Sequence, residues 1–313
     1  MTYCDALYAA VFLPLTILIY NIVPQKHRWK VLLIASYIFF WSISGKLIIY
    51  LLLSTLSIHH FGLWLTSLQN ERNNLLKEAE KDKKKKIRKQ YLKKQRSVLL
   101  FAVILHIGLL IVLKYSKFLG TNINLLLDFV HLPIQLSIAK FALPIGISFY
   151  TFQAVSYMFD VYHEKIKADR NLGRLALFMA FFPQIMEGPI CRYSDTAMQL
   201  YEGKKTTYKD LTFGIQRILW GFAKKMIIAD RLNTLVKTVF TNYAQYDGGI
   251  IALGMILYTV QLYMDFSGTM DTVIGSAQIF GVKLPENFRQ PFFSKSISDF
   301  WTRWHITLGA WFR

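Results

Sequence analysis

One histidine, His305, sits among tryptophans and phenylalanines in the stretch DFWTRWHITLGAWFR, residues 299–313. Read as one amphipathic helix, this stretch places Trp301, His305, Leu308 and Phe312 on one face with Trp304 beside them. Asp299, Arg303 and Thr307 fall on the other face. An imidazole on the apolar side is drawn out of water, which disfavours its charged form and keeps it neutral near neutral pH. A neutral imidazole can take a proton from a hydroxyl group, as a general base must. The alternative is a histidine that merely hydrogen-bonds in a core or at a lipid interface.

Other polar groups lie in apolar surroundings. Gln261 and Asp265, four residues apart near the end of the apolar run 249–266, project from one helix face. A carboxylate at membrane depth must be paired or wet. Asp265 is therefore either a site residue or an interfacial residue organising a turn over 266–269. Pro183, Gly188 and Pro189 surround Gln184 and Glu187. They suggest a helix that breaks or re-enters, with backbone groups open to a protein-lined or watery cavity, although packing alone could produce the same pattern.

The elements that must hold these residues are mostly membrane helices. The chain has 313 residues, 53% of them hydrophobic and 15% aromatic, with mean hydropathy +0.30, too apolar for an ordinary soluble domain. Spanning helices are expected at 6–23, at 31–43 continuing through 47–65, and at 98–113, 141–161 and 249–266. The run 172–186 is interrupted, 123–130 is too short to span, and 211–229 carries Arg217, Lys224 and Lys225, so it is interfacial or spanning. One membrane domain over 1–313 is the simplest count, with 69–96 as a Lys-rich helical loop inside it.

The formal charge of +18 is concentrated in residues 77–96. Positive-inside topology accounts for it: this block and the basic links 25–30 and 163–170 fall on the cytoplasmic side if the amino terminus is outside. The block is expected to be a solvated helical hairpin that can touch anionic lipid. Nucleic acid is not expected as a partner, because no aromatic stacking platform is interleaved with it.

Cys4 and Cys191 form no CxxC pair, and the first apolar segment lacks a basic start and a cleavage site, so it reads as an uncleaved helix. No GxSxG elbow or HExxH pair occurs. His59 and His60 are adjacent and face different ways, and His106 reads as a satisfied buried histidine. No metal site is expected.

Five segments together resemble the membrane-bound O-acyltransferase family, in its alginate and polysaccharide O-acetyltransferase branch. They are LPIGISFYTFQAVSYMFDVY (143–162), FFPQIMEGPICRY (181–193), QRILWGFAKKMIIADRL (216–232), QLYMDFSGTMDTVIG (261–275) and PENFRQPFFSKSISDFWTRWHITLGAWFR (285–313). The resemblance implies an all-α polytopic integral membrane protein, a cup of tilted helices with broken and interfacial helices. It implies that His305 is the catalytic residue in a tunnel, positioned by Arg303 and Trp304, with Asp265 and Asn287 as wall residues. Gln184 and Glu187, at the break around Pro183 and Pro189, are expected as further tunnel residues.

It also implies acyl transfer from a cytoplasmic-side donor, acetyl-CoA or a carrier-bound acyl group acting as cosubstrate, with no bound prosthetic group. The acceptor is a hydroxyl of an exported or cell-surface polysaccharide, and partner proteins of a glycan-modification complex are expected. Family members continue past this motif to a second histidine, so the C-terminal helices are expected to be missing here and the isolated piece inactive. D-alanyl transfer to teichoic acid suits 296–308 as well, although 216–232 favours the acetylase branch. A non-catalytic component of a glycan-export complex is the reading from another class.

Overall fold

The computed structural model describes residues 2–132, 134 and 143–313. It is all-helical, with no strand among the described residues, only an isolated bridge between Phe288 and Trp304. Three stretches are long and apolar enough to cross a membrane: Gln25–Glu78, Lys81–Phe129 and Gly248–Ile279. This is the architecture of an all-α polytopic membrane protein. The chain divides into two compact units, one of residues 1–35, 181–191 and 195–313, the other of residues 36–180 and 192–194.

The second unit is built on α3 (Ile48–Glu78) and α4 (Lys81–Phe129), which form a hairpin turning at Ala79 and Glu80. Preceding them are α1 (Tyr8–Ile22), in the first unit, and α2 (Gln25–Ser44), joined to α3 by a single tight turn, Gly45–Leu47. The basic block 77–96 is thus helical on both sides of a hairpin tip, as the sequence predicts. At 49 residues α4 is about 74 Å long, well beyond a bilayer's hydrocarbon core. It takes in 123–129 of the run 123–130, which is too short to span by itself: Lys114 and Lys117 interrupt the hydropathy before it without breaking the backbone hydrogen bonds.

The expected span 141–161 begins outside the described residues, and α5 (Ile147–Tyr162) is 16 residues, about 24 Å. His106 is buried on α4 with Nδ1 2.7 Å from the carbonyl oxygen of Ala102, satisfied within its own helix. After α6 (Leu172–Ala180) the helix gives way to turns over 181–187, at the interruption the prolines and glycine announce.

The first unit resumes at residue 195 within α7 (Tyr193–Glu202) and continues to α8 (Tyr208–Phe222), which runs through a π-helical turn, Ala223–Ala229, into α9 (Asp230–Thr241). α8 lies against α10 (Gly248–Ile279). Two glycine pairs set their separation. A Cβ on Gly275 would come within 2.7 Å of the Gly214 carbonyl oxygen, and one on Gly268 within 2.7 Å of the Gly221 carbonyl oxygen. Pairs seven residues apart on both helices bring the backbones together at two levels, where only glycine fits.

That closeness also brings opposite charges into range. Arg217 donates to Asp271 at 3.1 Å and to Glu286 at 2.6 and 2.7 Å, Lys224 to Asp271 at 2.7 Å, and Lys225 to Asp265 at 2.5 Å. The three basic residues that made 211–229 ambiguous are therefore paired with acids of α10 and of the segment after it. Asp265 lies well inside α10. The expected turn at 266–269 is continuous helix, because the apolar run that appeared to end at Phe266 carries on with its polar residues turned to α8.

Gly268→Ala is expected to lower the unfolding free energy by about 1–3 kcal/mol through this overpacking. Gly248→Ala, whose Cβ would meet nothing within 4 Å, should leave the thermal midpoint in detergent unchanged. Equal midpoints for the two variants would refute the close-approach reading.

Candidate active site

The segment holding His305 is not one helix. α11 (Ile297–Arg303) starts on a Ser296 cap, whose hydroxyl accepts from the Asp299 amide at 3.1 Å. Arg303, one turn on, donates to the Asp299 carboxylate at 2.8 Å. Trp304 then leaves the helix in extended conformation and bridges antiparallel to Phe288, and the amide of Arg289 donates to the Arg303 carbonyl at 3.0 Å. His305 follows with φ 47° and ψ 53°, the left-handed region, and α12 (Ile306–Phe312) begins after it.

The first two amides of α12 have no local side-chain cap, and Asn287 serves them from another part of the chain. Its carbonyl oxygen accepts from the Ile306 amide at 3.0 Å. Its side-chain oxygen accepts from the Thr307 amide at 3.1 Å and the Thr307 hydroxyl at 2.7 Å. The Thr307 hydroxyl in turn accepts from the Ile190 amide at 3.1 Å. Asn287 and Thr307 are both buried.

This corrects two expectations. Trp301 and His305 share no helical face, and Trp301 is 59% exposed. Thr307, expected on the polar face with Asp299 and Arg303, is buried because the break rotates α12 so that its hydroxyl meets Asn287.

His305 is half-buried, and the ring of Phe266 lies edge-on to it, 4.9 Å between centroids. Phe266 also meets Phe288 at 5.0 Å, Phe288 meets Trp304 at 5.0 Å, and Phe300 stacks on Trp304 at 5.6 Å. The imidazole Nδ1 is buried with no hydrogen-bond partner among the described residues. Burial pushes its pKa below the ordinary 6.5, opposed by its own backbone. The neutral, apolar setting expected from the sequence is present, made by Phe266 and the Phe288–Trp304 contact more than by a helix face. A neutral imidazole so placed can accept a proton from a hydroxyl brought to its free nitrogen.

The other predicted residues fall in different places. Trp304 is beside His305 and fixes the bend. Arg303 is directed back to Asp299, so its guanidinium does not position the imidazole. Asp265 precedes Phe266 on α10 and carries the Lys225 ion pair, and Lys225 lies 3.6 Å from Asp230 as well.

Gln184 is buried in the 181–191 turn, which Tyr3 braces: its hydroxyl donates to the Phe182 carbonyl at 2.9 Å and accepts from the Met186 amide at 3.2 Å. Glu187, on the same turn, reaches solvent, but crowding by protein raises its carboxyl pKa. Asp265 adds to the rise and Lys225 opposes it. The turn is tied to the His305 region through Ile190 and Thr307. Thr307, Phe266 and Lys225 were not among the predicted site residues. The pairing of three basic residues in 211–229 with acids at 265, 271 and 286 was the available signal for Lys225.

Asn287→Ala leaves the Thr307 amide and hydroxyl without their acceptor, and is expected to cost about 1–3 kcal/mol. Asn287→Asp, which keeps an acceptor oxygen, should recover part of the loss in thermal midpoint; identical midpoints for both variants and the parent would remove the clamp. Glu187 titrates higher folded than unfolded, so the native state holds the extra proton and stability falls as pH rises from the ordinary 4.5 through the raised value. Glu187→Gln is therefore expected to raise the midpoint at about pH 8 and to change nothing at about pH 4. A pH-independent difference would contradict this.

The family model of the membrane-bound O-acyltransferases matches residues 165–313, which include the Asn287 clamp, the Glu187 turn and His305. A probable alginate O-acetylase of Pseudomonas syringae pv. tomato is 34% identical over 100% of this chain and 56% of its own length. A peptidoglycan O-acetyltransferase of Helicobacter pylori is 30% identical over 70% of this chain and 46% of its own. A teichoic acid D-alanyltransferase of Bacillus subtilis is 38% identical over 54% of this chain and 43% of its own. The chain thus spans little more than half the length of the alginate O-acetylase it matches from end to end. Residues 165–313, the stretch that builds this site, form a domain of the membrane-bound O-acyltransferase family.

Proposed function

We propose that the protein is a membrane O-acyltransferase that moves an acetyl group to a hydroxyl of an exported or cell-surface polysaccharide. The donor is acetyl-CoA or a carrier-bound acyl group, presented on the cytoplasmic side as cosubstrate. The family match and the relatives named as alginate and peptidoglycan O-acetylating proteins support this. The observation that carries it is the half-buried His305 in an aromatic wall, its pKa lowered by burial and its buried Nδ1 without a hydrogen-bond partner among the described residues.

In this reading the acceptor oxygen attacks the acyl carbonyl carbon while His305 takes its proton. The bond from the acyl group to its carrier then breaks, and the proton passes from the imidazolium to the leaving group. Asn287 and Thr307 hold the imidazole in position, and the surrounding rings keep water from competing for the acyl group. Amino terminus outside and residues 77–96 cytoplasmic is the topology consistent with the donor's side. Partner proteins of a glycan-modification complex would deliver the acceptor.

D-alanyl transfer to teichoic acid is the second reading, favoured by the similarity to the Bacillus subtilis D-alanyltransferase. Ester-linked acyl groups released by mild base from the cell envelope, with and without the gene, separate the two by mass.

In the full-length protein, His305→Ala should reduce acceptor acylation by a factor on the order of 10²–10⁴ while membrane insertion and thermal midpoint are kept. Since His305 must be neutral to act, kcat/KM of the parent should fall on the acid side with a midpoint below 6.5. Unchanged transfer by the alanine variant would remove His305 from the mechanism.

A further inference from the structure

Away from the His305 site, the α3–α4 hairpin carries a groove of 860 Å³ lined by Trp64, Leu68, Lys93, Lys94, Val98 and Phe101, with Gln90 and Ser97 at its rim. We propose that this groove binds one anionic phospholipid, with the headgroup phosphate on Lys93 and Lys94 and an acyl chain along Trp64, Leu68, Val98 and Phe101.

The order of side chains along α4 follows the order of groups in a lipid. Gln90, Lys93, Lys94, Ser97 and Phe101 recur at three- and four-residue spacing, so they share one face. Lys93 to Phe101 covers about 12 Å, from ammonium through hydroxyl to ring. Across the groove Trp64 and Leu68, one turn apart, form the facing wall of α3, and the Phe61 and Phe101 rings meet at 5.7 Å where the apolar end closes.

Trp64 and Phe101 are 48% and 58% exposed, unlike the buried Leu68 and Val98 beneath them, so the groove has open apolar sides over a packed floor. The volume lies in the range of small-ligand sites, about 300–1,000 Å³. The apolar part of α4 begins at Val98, so the two ammonium groups lie about one turn outside it, the level of lipid phosphates.

Charge selects the lipid. Residues 81–96 hold ten basic residues and one acidic one, and among the described residues neither Lys93 nor Lys94 pairs with a carboxylate. The Lys94 ammonium lies 4.8 Å from the centre of the Tyr91 ring, an attraction that leaves its charge uncompensated. A zwitterionic lipid would bring its own cation to these two; a lipid with a net negative headgroup does not. An acidic carrier protein could meet the outer lysines, but the apolar half of the groove, at 98–101, is at hydrocarbon level, where a soluble partner does not reach.

The test uses the full-length protein in phosphatidylcholine vesicles containing a minor fraction of brominated phosphatidylglycerol or brominated phosphatidylcholine. The Trp64 signal is the fluorescence difference between the parent and Trp64→Phe. The brominated anionic lipid should quench that signal severalfold more than the zwitterionic one. Lys93→Gln with Lys94→Gln should weaken the apparent affinity by on the order of fivefold for each lysine, erasing the preference.

Lys83→Gln, Lys84→Gln and Lys85→Gln together should leave the preference intact, which separates the groove from diffuse attraction to the charged block. Equal quenching by the two lipids overturns the proposal. So does a preference that survives loss of Lys93 and Lys94, or that is lost with the outer lysines. A Trp64 response to an acidic acyl carrier protein in purely zwitterionic vesicles, in place of the lipid response, would assign the groove to a protein instead.

Discussion

The backbone turn at His305 depends on a single buried asparagine for its C-terminal side. Asn287 gives its carbonyl oxygen to the Ile306 amide and its side-chain oxygen to the amide and hydroxyl of Thr307. With Ile306 and Thr307 held after the bend by Asn287, and Arg303 and Trp304 held before it by the Arg289 amide and the bridge to Phe288, His305 must turn through the left-handed region, which costs a residue with a side chain about 1–3 kcal/mol. Three hydrogen bonds of about 0.5–1.5 kcal/mol each are of the size needed to hold such a turn. Strain and a buried nitrogen with no hydrogen-bond partner among the described residues fall on the same residue, and the surrounding contacts keep both in place. Had α11 and α12 been one straight helix, Trp304 could not have left it to pair with Phe288, and Thr307 would have faced away from Asn287 and Ile190.

That clamp depends on where the chain returns after α10, and α10 is placed by α8. Neither helix alone is well suited to a membrane: α8 and its π-helical extension carry Arg217, Lys224 and Lys225, and α10 carries Asp265 and Asp271. A lone charge there is costly, whereas a charge paired at hydrogen-bond distance is tolerated. The Gly214–Gly275 and Gly221–Gly268 contacts bring the backbones close enough for those pairs to form. Arg217 also reaches Glu286, adjacent to Asn287 in sequence, so the ion pairs anchor the start of the segment that forms the clamp. Loss of close packing between α8 and α10 would therefore reach His305 through Glu286 and Asn287.

The sequence makes the chemical character of His305 readable, because tryptophan and phenylalanine at positions 300, 301 and 304 announce an apolar setting whatever the backbone does. The bend is not readable. Nothing in 299–308 is a proline or glycine, and the amide acceptors that favour the break come from Asn287, distant in sequence, so periodicity alone returns one helix. Asp265 misleads for a related reason: hydropathy falls after Phe266, but the helix continues with small and polar residues packed on α8. Helix 81–129 shows the reverse case, in which Lys114 and Lys117 divide an apolar pattern without dividing the helix. The turn at 181–191 was legible from its prolines and glycine, since these act on the backbone locally.

His305 and Glu187 shift in opposite directions, and both shifts favour the uncharged form. The permanent charges are instead matched in pairs between α8, its π-helical extension and α10. His305 has no carboxylate partner among the described residues, so a proton taken from an acceptor hydroxyl would create a cation that burial disfavours, against a smaller opposing contribution from the residue's own backbone. An imidazolium held by a carboxylate keeps its proton; one in an aromatic wall returns it readily to a basic leaving group. For a transfer in which the same proton leaves one substrate and ends on the other, an imidazolium that its apolar surroundings disfavour suits both halves of the reaction.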